Sequence, residues 1–194
     1  MNSLDLPKFD IVIHLASIAN DPCSNLDPEL TWDISCQGSI ELMDFMVKSN
    51  SKRIIYASSA ATYGDGKQGF IDNNNLVQMS KLKPLNLYGW TKLQVDLRNI
   101  IMVNNSKVIP SQWVGLKFFN VYGHNEFHKQ NMQSVILKTY AQIIQNEETR
   151  LFKSYNKKYK NGDQKRDFIY VKDCIKVLLW FLENPSKSGI FNVG

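Results

Sequence analysis

The chain has 194 residues, 43% of them hydrophobic, and a formal net charge of +5, enough apolar material for one well-buried core and too much for a disordered tail. No run approaches ~18 uninterrupted apolar residues, and the start MNSLDLPKFD lacks the basic and apolar blocks of a secretory leader; the expectation is a soluble, cytoplasmic protein with no membrane partner. Cys23, Cys36 and Cys174 are odd in number and show no CxxC spacing, so free thiols are expected rather than disulfides or zinc.

In chain order, residues 10–16 (DIVIHLA) form a short apolar run suited to a strand covered on both faces. A helix follows with Ile40, Met43 and Val47 on one face, then a strand over 52–58. Trp90, Leu93, Leu97 and Ile100 recur at spacings of three and four, predicting an amphipathic helix from 87 to 103. Trp113 to Phe119 reads as the next strand. Met132, Val135, Tyr140 and Ile143 mark a further helix, and Val171, Ile175, Leu178 and Leu182 another, stopped by Asn184-Pro185. The sequence ends on a strand, Ile190 to Gly194. Strands alternating with helices predict an α/β fold built on a parallel sheet.

Gly64, Gly66 and Gly69 form a literal Gly-x-Gly-x-x-Gly after the strand. A dinucleotide loop needs a helix N-terminus directly behind the glycines to receive the pyrophosphate. Here Phe70-Ile71-Asp72-Asn73-Asn74-Asn75 follows, and consecutive asparagines favour turns, so the match is read as accidental. His124 and His128, with Glu126 out of place for HExxH and no cysteine nearby, do not make a metal site; no metal is expected.

Tyr88 and Lys92 stand four residues apart, side by side on one helix face. A nearby ammonium favours phenolate, so the Tyr88 pKa is expected to fall toward the range of an acid-base catalyst. Tyr56-Ala57-Ser58-Ser59 sits at the carboxyl end of a parallel strand, where ligands of open α/β sheets bind. The charge is also local: residues 150–166 carry Arg150, Lys153, Lys157, Lys158, Lys160, Lys165 and Arg166 against Asp163 alone, with Phe152, Tyr155 and Tyr159 interleaved. Such a tract is a solvated loop, a diphosphate site or a single-stranded nucleic-acid contact.

Strand-end serine, Tyr-x-x-x-Lys and Phe118-Phe119-Asn120-Val121-Tyr122-Gly123 together resemble the extended short-chain dehydrogenase/reductases, the nucleotide-sugar epimerases and dehydratases. YASSAATYGDG, PLNLYGWTK, LKFFNVYG, EFHKQNM, RLFKSY and RDFIYVKD are similar to the ADP-heptose 6-epimerase branch of that family, closely from about residue 53 onward and generically before it.

The resemblance implies a Rossmann-like, doubly wound parallel sheet plus part of a small substrate-binding subdomain, with the opening strand, glycine fingerprint and helix lying outside this sequence. It implies a Rossmann part over 1–122 and a nucleotide-sugar-binding region over 123–194, of which 166–194 returns to the sheet. The implied cofactor is NADP, with NAD possible, and the implied partner an ADP-sugar rather than nucleic acid; the full-length protein would be a homo-oligomer. Implied catalytic residues are Ser59, Tyr88, Lys92 and Lys129. Tyr88, Lys92, Val121 and His128 would meet the cofactor. Ser59, Asn120, Asn131, Lys138, Phe152, Lys153, Ser154, Tyr155 and Arg166 would meet the substrate. Ser35 stands where many relatives carry a structural asparagine, and the loop 72–84 lengthens the interval between Ser59 and Tyr88.

Overall fold

The computed structural model describes residues 9–49, 51–105, 110–146, 148–155, 157 and 159–194, so most of the start MNSLDLPKFD and Lys158 of the basic tract lie outside the described residues. The chain divides into two compact units, one of residues 1–118 and 178–193, the other of residues 119–177 and 194.

The first unit is built on a four-stranded parallel sheet of β1 (Val12–His14), β2 (Arg53–Ser59), β3 (Gln112–Phe118) and β6 (Gly189–Val193), in the order β1-β2-β3-β6. Ile54 lies beside Trp113, Ser59 beside Phe118, and Phe118 beside Val193. β2 and β3 have a partner on each side and are buried along most of their length, with Ile54, Ile55, Val114 and Leu116 at the centre of the core. Such continuous burial explains why both read as unbroken apolar runs. β1 departs from expectation. Only three residues pair, on the edge of the sheet, and Ile13 and Leu15 are exposed; alternation turns Val12 and His14 to one face and Ile13, 41% exposed, to the other.

Between β1 and β2 the chain forms α1 (Asp21–Leu26), α2 (Pro28–Trp32), a π-helical turn at Asp33–Gln37 and α3 (Gly38–Lys48). Asn20 and Asp27 cap α1 and α2 through their side chains, and each helix has proline in its first turn. Ser35, in the π-helical turn, accepts hydrogen bonds from the Ile18 N–H and the Ser17 hydroxyl, both at 3.0 Å. It thereby ties down the loop leaving β1.

After β2 come a 3-10 turn, Ala60–Tyr63, the short α4 (Leu76–Met79) and the long α5 (Leu87–Asn104). α5 begins where the periodicity places it, with the Asn86 side chain accepting the Gly89 N–H at 2.8 Å. Its buried face differs from the apolar stripe. Leu93 and Ile100 are buried as expected, but Trp90 is 39% exposed while Thr91, Lys92, Asp96 and Asn99 are buried. Polar partners inside the fold explain that rotation, as described below.

In the second unit β4 (Asn120–Tyr122) pairs in parallel with β5 (Phe168–Tyr170). A 3-10 turn, Phe127–Met132, precedes α6 (Val135–Asn146). Met132 was expected to open that helix but lies in the turn before it. Buried Glu126 accepts the Ser134 N–H at 2.7 Å and its hydroxyl at 3.0 Å, and the Ser134 oxygen accepts the Leu137 N–H, which sets the helix start at Val135, three residues later. α7 (Val171–Glu183) runs from the second unit into the first and ends before Asn184-Pro185.

Candidate functional site

In the first unit, Ser59 closes β2 and is buried; its hydroxyl oxygen accepts the Ala61 N–H at 3.1 Å, turning the chain into the 3-10 segment. Tyr88 lies half-buried in the first turn of α5. Lys92, one turn on, is buried, donates to the Ala57 carbonyl at 2.9 Å, and has its Nζ 5.8 Å from the centre of the Tyr88 ring. Ser59, at the carboxyl end of β2, thus meets the Tyr88 and Lys92 pair from a distant stretch of sequence.

Their titration differs from the sequence expectation. The Tyr88 phenol is pushed up, not down: burial raises its pKa, and the neighbouring Ser59 hydroxyl offsets only part of that. Lys92 is not among the groups that shift Tyr88; it is itself desolvated, which brings its own pKa down to about 8 against an upward pull from Asp96. In this state Tyr88 is a neutral phenol, a proton donor held beside a buried ammonium.

Sequence reading missed the groups beneath. Asp96 is completely buried, and Lys117 of β3 is 1% exposed with its Nζ 3.6 Å from Asp96 Oδ2. The signal was available in Leu116-Lys117-Phe118, since a lysine inside a buried apolar strand requires a buried partner.

The glycine-rich stretch is not a dinucleotide loop. Gly64, Gly66 and Gly69 all have positive φ, and a Cβ on Gly64 would fall 1.8 Å from the Lys83 carbonyl oxygen. These are turn glycines, Gly64 packed against the Lys83 backbone, Gly66 against the Phe70 ring and Gly69 against the Ile71 side chain. The next helix, α4, has four residues and starts only at Leu76.

The second unit holds a cleft of about 410 Å³, within the size range of small-ligand sites. Asn120, Val121, Glu126, Lys129, Phe152 and Arg166 are among the residues lining it. Asn120 opens β4 and donates through its side chain to the Asp167 carbonyl at 2.8 Å. Lys129 has its Nζ 3.9 Å from Glu126 Oε2. Burial pushes the Glu126 carboxyl up, but hydrogen bonds from the Ser134 and Gly123 N–H groups and the Ser134 hydroxyl, together with Lys129, outweigh it and hold the group below its usual value. Gln130, next to Lys129, has φ 48° and ψ −118°, a strained conformation for a residue with a side chain.

Not every expected residue meets the cleft. His128 is exposed on the 3-10 turn and does not line it. Lys138 donates to the Asn131 carbonyl, so these two meet each other. Lys153 and Tyr155 are exposed, Tyr155 at 94%, while the Ser154 N–H donates to Asn161 Oδ1 at 2.8 Å. Gln164, which sequence reading passed over, lines the cleft with a buried Oε1 that has no hydrogen-bond partner among the described residues; such an acceptor is costly unless a ligand donor meets it. Among the described residues no group of three His, Cys, Asp or Glu side chains is placed to hold a metal, and no helix is long and apolar enough to cross a membrane.

The chain is 44% identical over 191 residues to an ADP-L-glycero-D-manno-heptose-6-epimerase of Nitratidesulfovibrio vulgaris, covering 98% of this chain and 56% of that protein. A relative of the same name from Fusobacterium nucleatum is 41% identical over 187 residues, covering 96% and 54%. The chain spans about half the length of these relatives. Among solved structures, the Helicobacter pylori ADP-L-glycero-D-manno-heptose-6-epimerase superposes with a TM-score of 0.75 at 31% identity, covering 96% of this chain and 52% of that one. A UDP-N-acetylglucosamine 4-epimerase from Methanobrevibacter ruminantium M1 also gives 0.75, at 28% identity, covering 95% and 55%. The model of the NAD dependent epimerase/dehydratase family matches residues 3–194. With its parallel sheet and alternating helices of Rossmann type, the chain belongs to the NAD dependent epimerase/dehydratase family.

Proposed function

We propose that this chain is part of an epimerase that interconverts ADP-D-glycero-D-manno-heptose and ADP-L-glycero-D-manno-heptose at C6 through a transient ketone, supplying a precursor of the lipopolysaccharide core. The observation that carries the reading is the buried meeting of Ser59, Tyr88 and Lys92 at the carboxyl end of β2. The heptose assignment takes its support from the names of the relatives.

NADP, when bound, supplies the hydride acceptor and donor for the reacting carbon. The donor set suits it: an ammonium has three N–H bonds, and Lys92 spends one on Ala57, leaving others for the hydroxyls of a nicotinamide ribose. Tyr88 holds the proton exchanged with the reacting sugar oxygen, and Ser59 orients that oxygen beside the phenol. Lys129 takes the role of a second acid-base group, which inversion requires when protons move on both faces of the ketone. In the second unit, the cations of Arg166 and Lys153 suit a diphosphate and Phe152 offers an apolar wall. The domain assignment follows the same reading, with a Rossmann part over 1–122, a sugar-nucleotide part over 123–194, and 166–194 returning to the sheet.

A second reading, an epimerase of another nucleotide sugar, is favoured by the equal superposition on the UDP-N-acetylglucosamine 4-epimerase. The test is turnover by the full-length protein on ADP-heptose and on a panel of UDP-hexoses, with C6 and C4 inversion read by NMR. Inversion at C6 of the ADP-heptose supports the first reading. Turnover of a UDP-sugar alone moves the assignment to the second, and no turnover of any of them defeats both.

A further inference from the structure

α5 buries two polar residues one turn apart, Lys92 and Asp96, and the second belongs to no role yet described. Asp96 Oδ1 accepts the Tyr56 hydroxyl at 3.0 Å, and Oδ2 accepts the Ser58 hydroxyl at 2.8 Å. Both donors are on β2. From β3, Lys117 Nζ approaches Oδ2 to 3.6 Å and donates to Thr62 Oγ1 at 2.8 Å. Thr62 in turn donates to the Ser59 carbonyl at 2.8 Å. One carboxylate thereby joins the helix that carries Tyr88 and Lys92 to the strand residue before Ser59, and through Lys117 and Thr62 to the backbone of Ser59 itself.

The charges point the same way. Burial raises the Asp96 carboxyl above its usual value, and Lys117, the Ser58 and Tyr56 hydroxyls and Lys92 oppose that rise; hydroxyl donors on both oxygens, with an ammonium beside one of them, favour the ionised carboxylate. Lys92 is faced by Tyr88 and Asp96 on its own helix, by the Ala57 carbonyl of β2, and by His14 of β1, which itself hydrogen-bonds Ser39 of α3. Lys117 is faced by Asp96 and also by Asp72. Among the described groups facing Lys92, Asp96 is the one anion. Burial of the lysine disfavours its charge, and the aspartate opposes that loss.

We propose that Asp96 is the positioning residue of the Ser59, Tyr88 and Lys92 group: its carboxylate locks the exit of β2 against α5 and keeps the Lys92 side chain cationic at neutral pH. The inference rests on the reading of that group as the reacting centre. It assigns Asp96 no contact with substrate.

The test is the titration of Lys92 in the full-length protein, followed by NMR of 13C-labelled lysine and assigned by loss of the signal in Lys92→Arg. In Asp96→Asn the Lys92 midpoint should fall by on the order of one pH unit, and the alkaline limb of the epimerisation rate should move with it. Should Asp96→Asn fail to fold because Lys117 is left buried without its partner, Asp96→Asn combined with Lys117→Met removes both charges, and the Lys92 midpoint should again lie below that of the parent. An unmoved or raised midpoint in a folded variant overturns the proposal, even where activity is lost. The titration needs no substrate, so a parent protein that turns over no nucleotide sugar defeats the functional reading separately.

Discussion

The Lys92 ammonium donates to the Ala57 carbonyl oxygen at 2.9 Å from a position that is 6% exposed. Burial takes its pKa from 10.5 to about 8, with Asp96 pulling the other way. An unfolded chain therefore binds a proton here more tightly than the folded one between pH 8 and 10.5, so the contribution of Lys92 to stability becomes more favourable as pH rises through that window. Below it the buried charge costs roughly 3 kcal/mol. Lys92→Met should be more stable than the parent at pH 7 by roughly 1–3 kcal/mol, a gap that narrows toward pH 10, as read by urea denaturation at both pH values. A gap independent of pH would mean that Lys92 titrates as an ordinary lysine.

Tyr88→Phe keeps the ring that packs at the start of α5 and removes only the phenol hydroxyl. Loss of proton transfer at that oxygen should lower turnover by roughly 10² to 10⁴, while cofactor content of the purified full-length variant stays at the parent level. Near-normal turnover would remove Tyr88 from the mechanism.

Lys129→Ala separates an acid-base role from a binding role. The side chain is partly exposed and lies 3.9 Å from buried Glu126, whose carboxylate keeps the hydrogen bonds from the Gly123 and Ser134 N–H groups and the Ser134 hydroxyl, so the fold should survive the substitution. If Lys129 moves a proton, epimer interconversion at saturating substrate should fall at least about 10²-fold with little change in ADP-sugar affinity by calorimetry. Weakened affinity with unimpaired turnover at saturation would make it a phosphate contact instead.

Gln112 tests the packing of β3 against the end of α7. Its amide donates to the carbonyls of Phe181, Asn184 and Lys187 at 3.0 to 3.1 Å, and its oxygen accepts Arg53 Nε at 2.7 Å. Helix carbonyls at a C-terminus lack partners of their own. Gln112→Ala should cost roughly 1–3 kcal/mol by taking the partner from Arg53 Nε and from the Asn184 and Lys187 carbonyls, measured by chemical denaturation. A loss under about 0.5 kcal/mol would mean that water takes its place.

The order of strands and helices was legible in the sequence because buried parallel strands and amphipathic helices leave period and composition behind: β2 and β3 as apolar runs, α5 as a stripe beginning after Asn86. The candidate group was legible as residue types at a spacing, Ser59 at a strand end and Tyr88 with Lys92 one helical turn apart. Tertiary structure decided what those residues are. Spacing predicts an ammonium lowering a phenol, whereas burial raises Tyr88 and lowers Lys92, because desolvation depends on neighbours from other elements that no local pattern records. It likewise decided that α5 turns Lys92 and Asp96 inward and leaves Trp90 exposed, and that Glu126, through Ser134, starts α6 beyond Met132. Each of these outcomes depends on polar groups brought together across long stretches of chain or across an intervening turn, where hydropathy along the sequence carries no information about the partner.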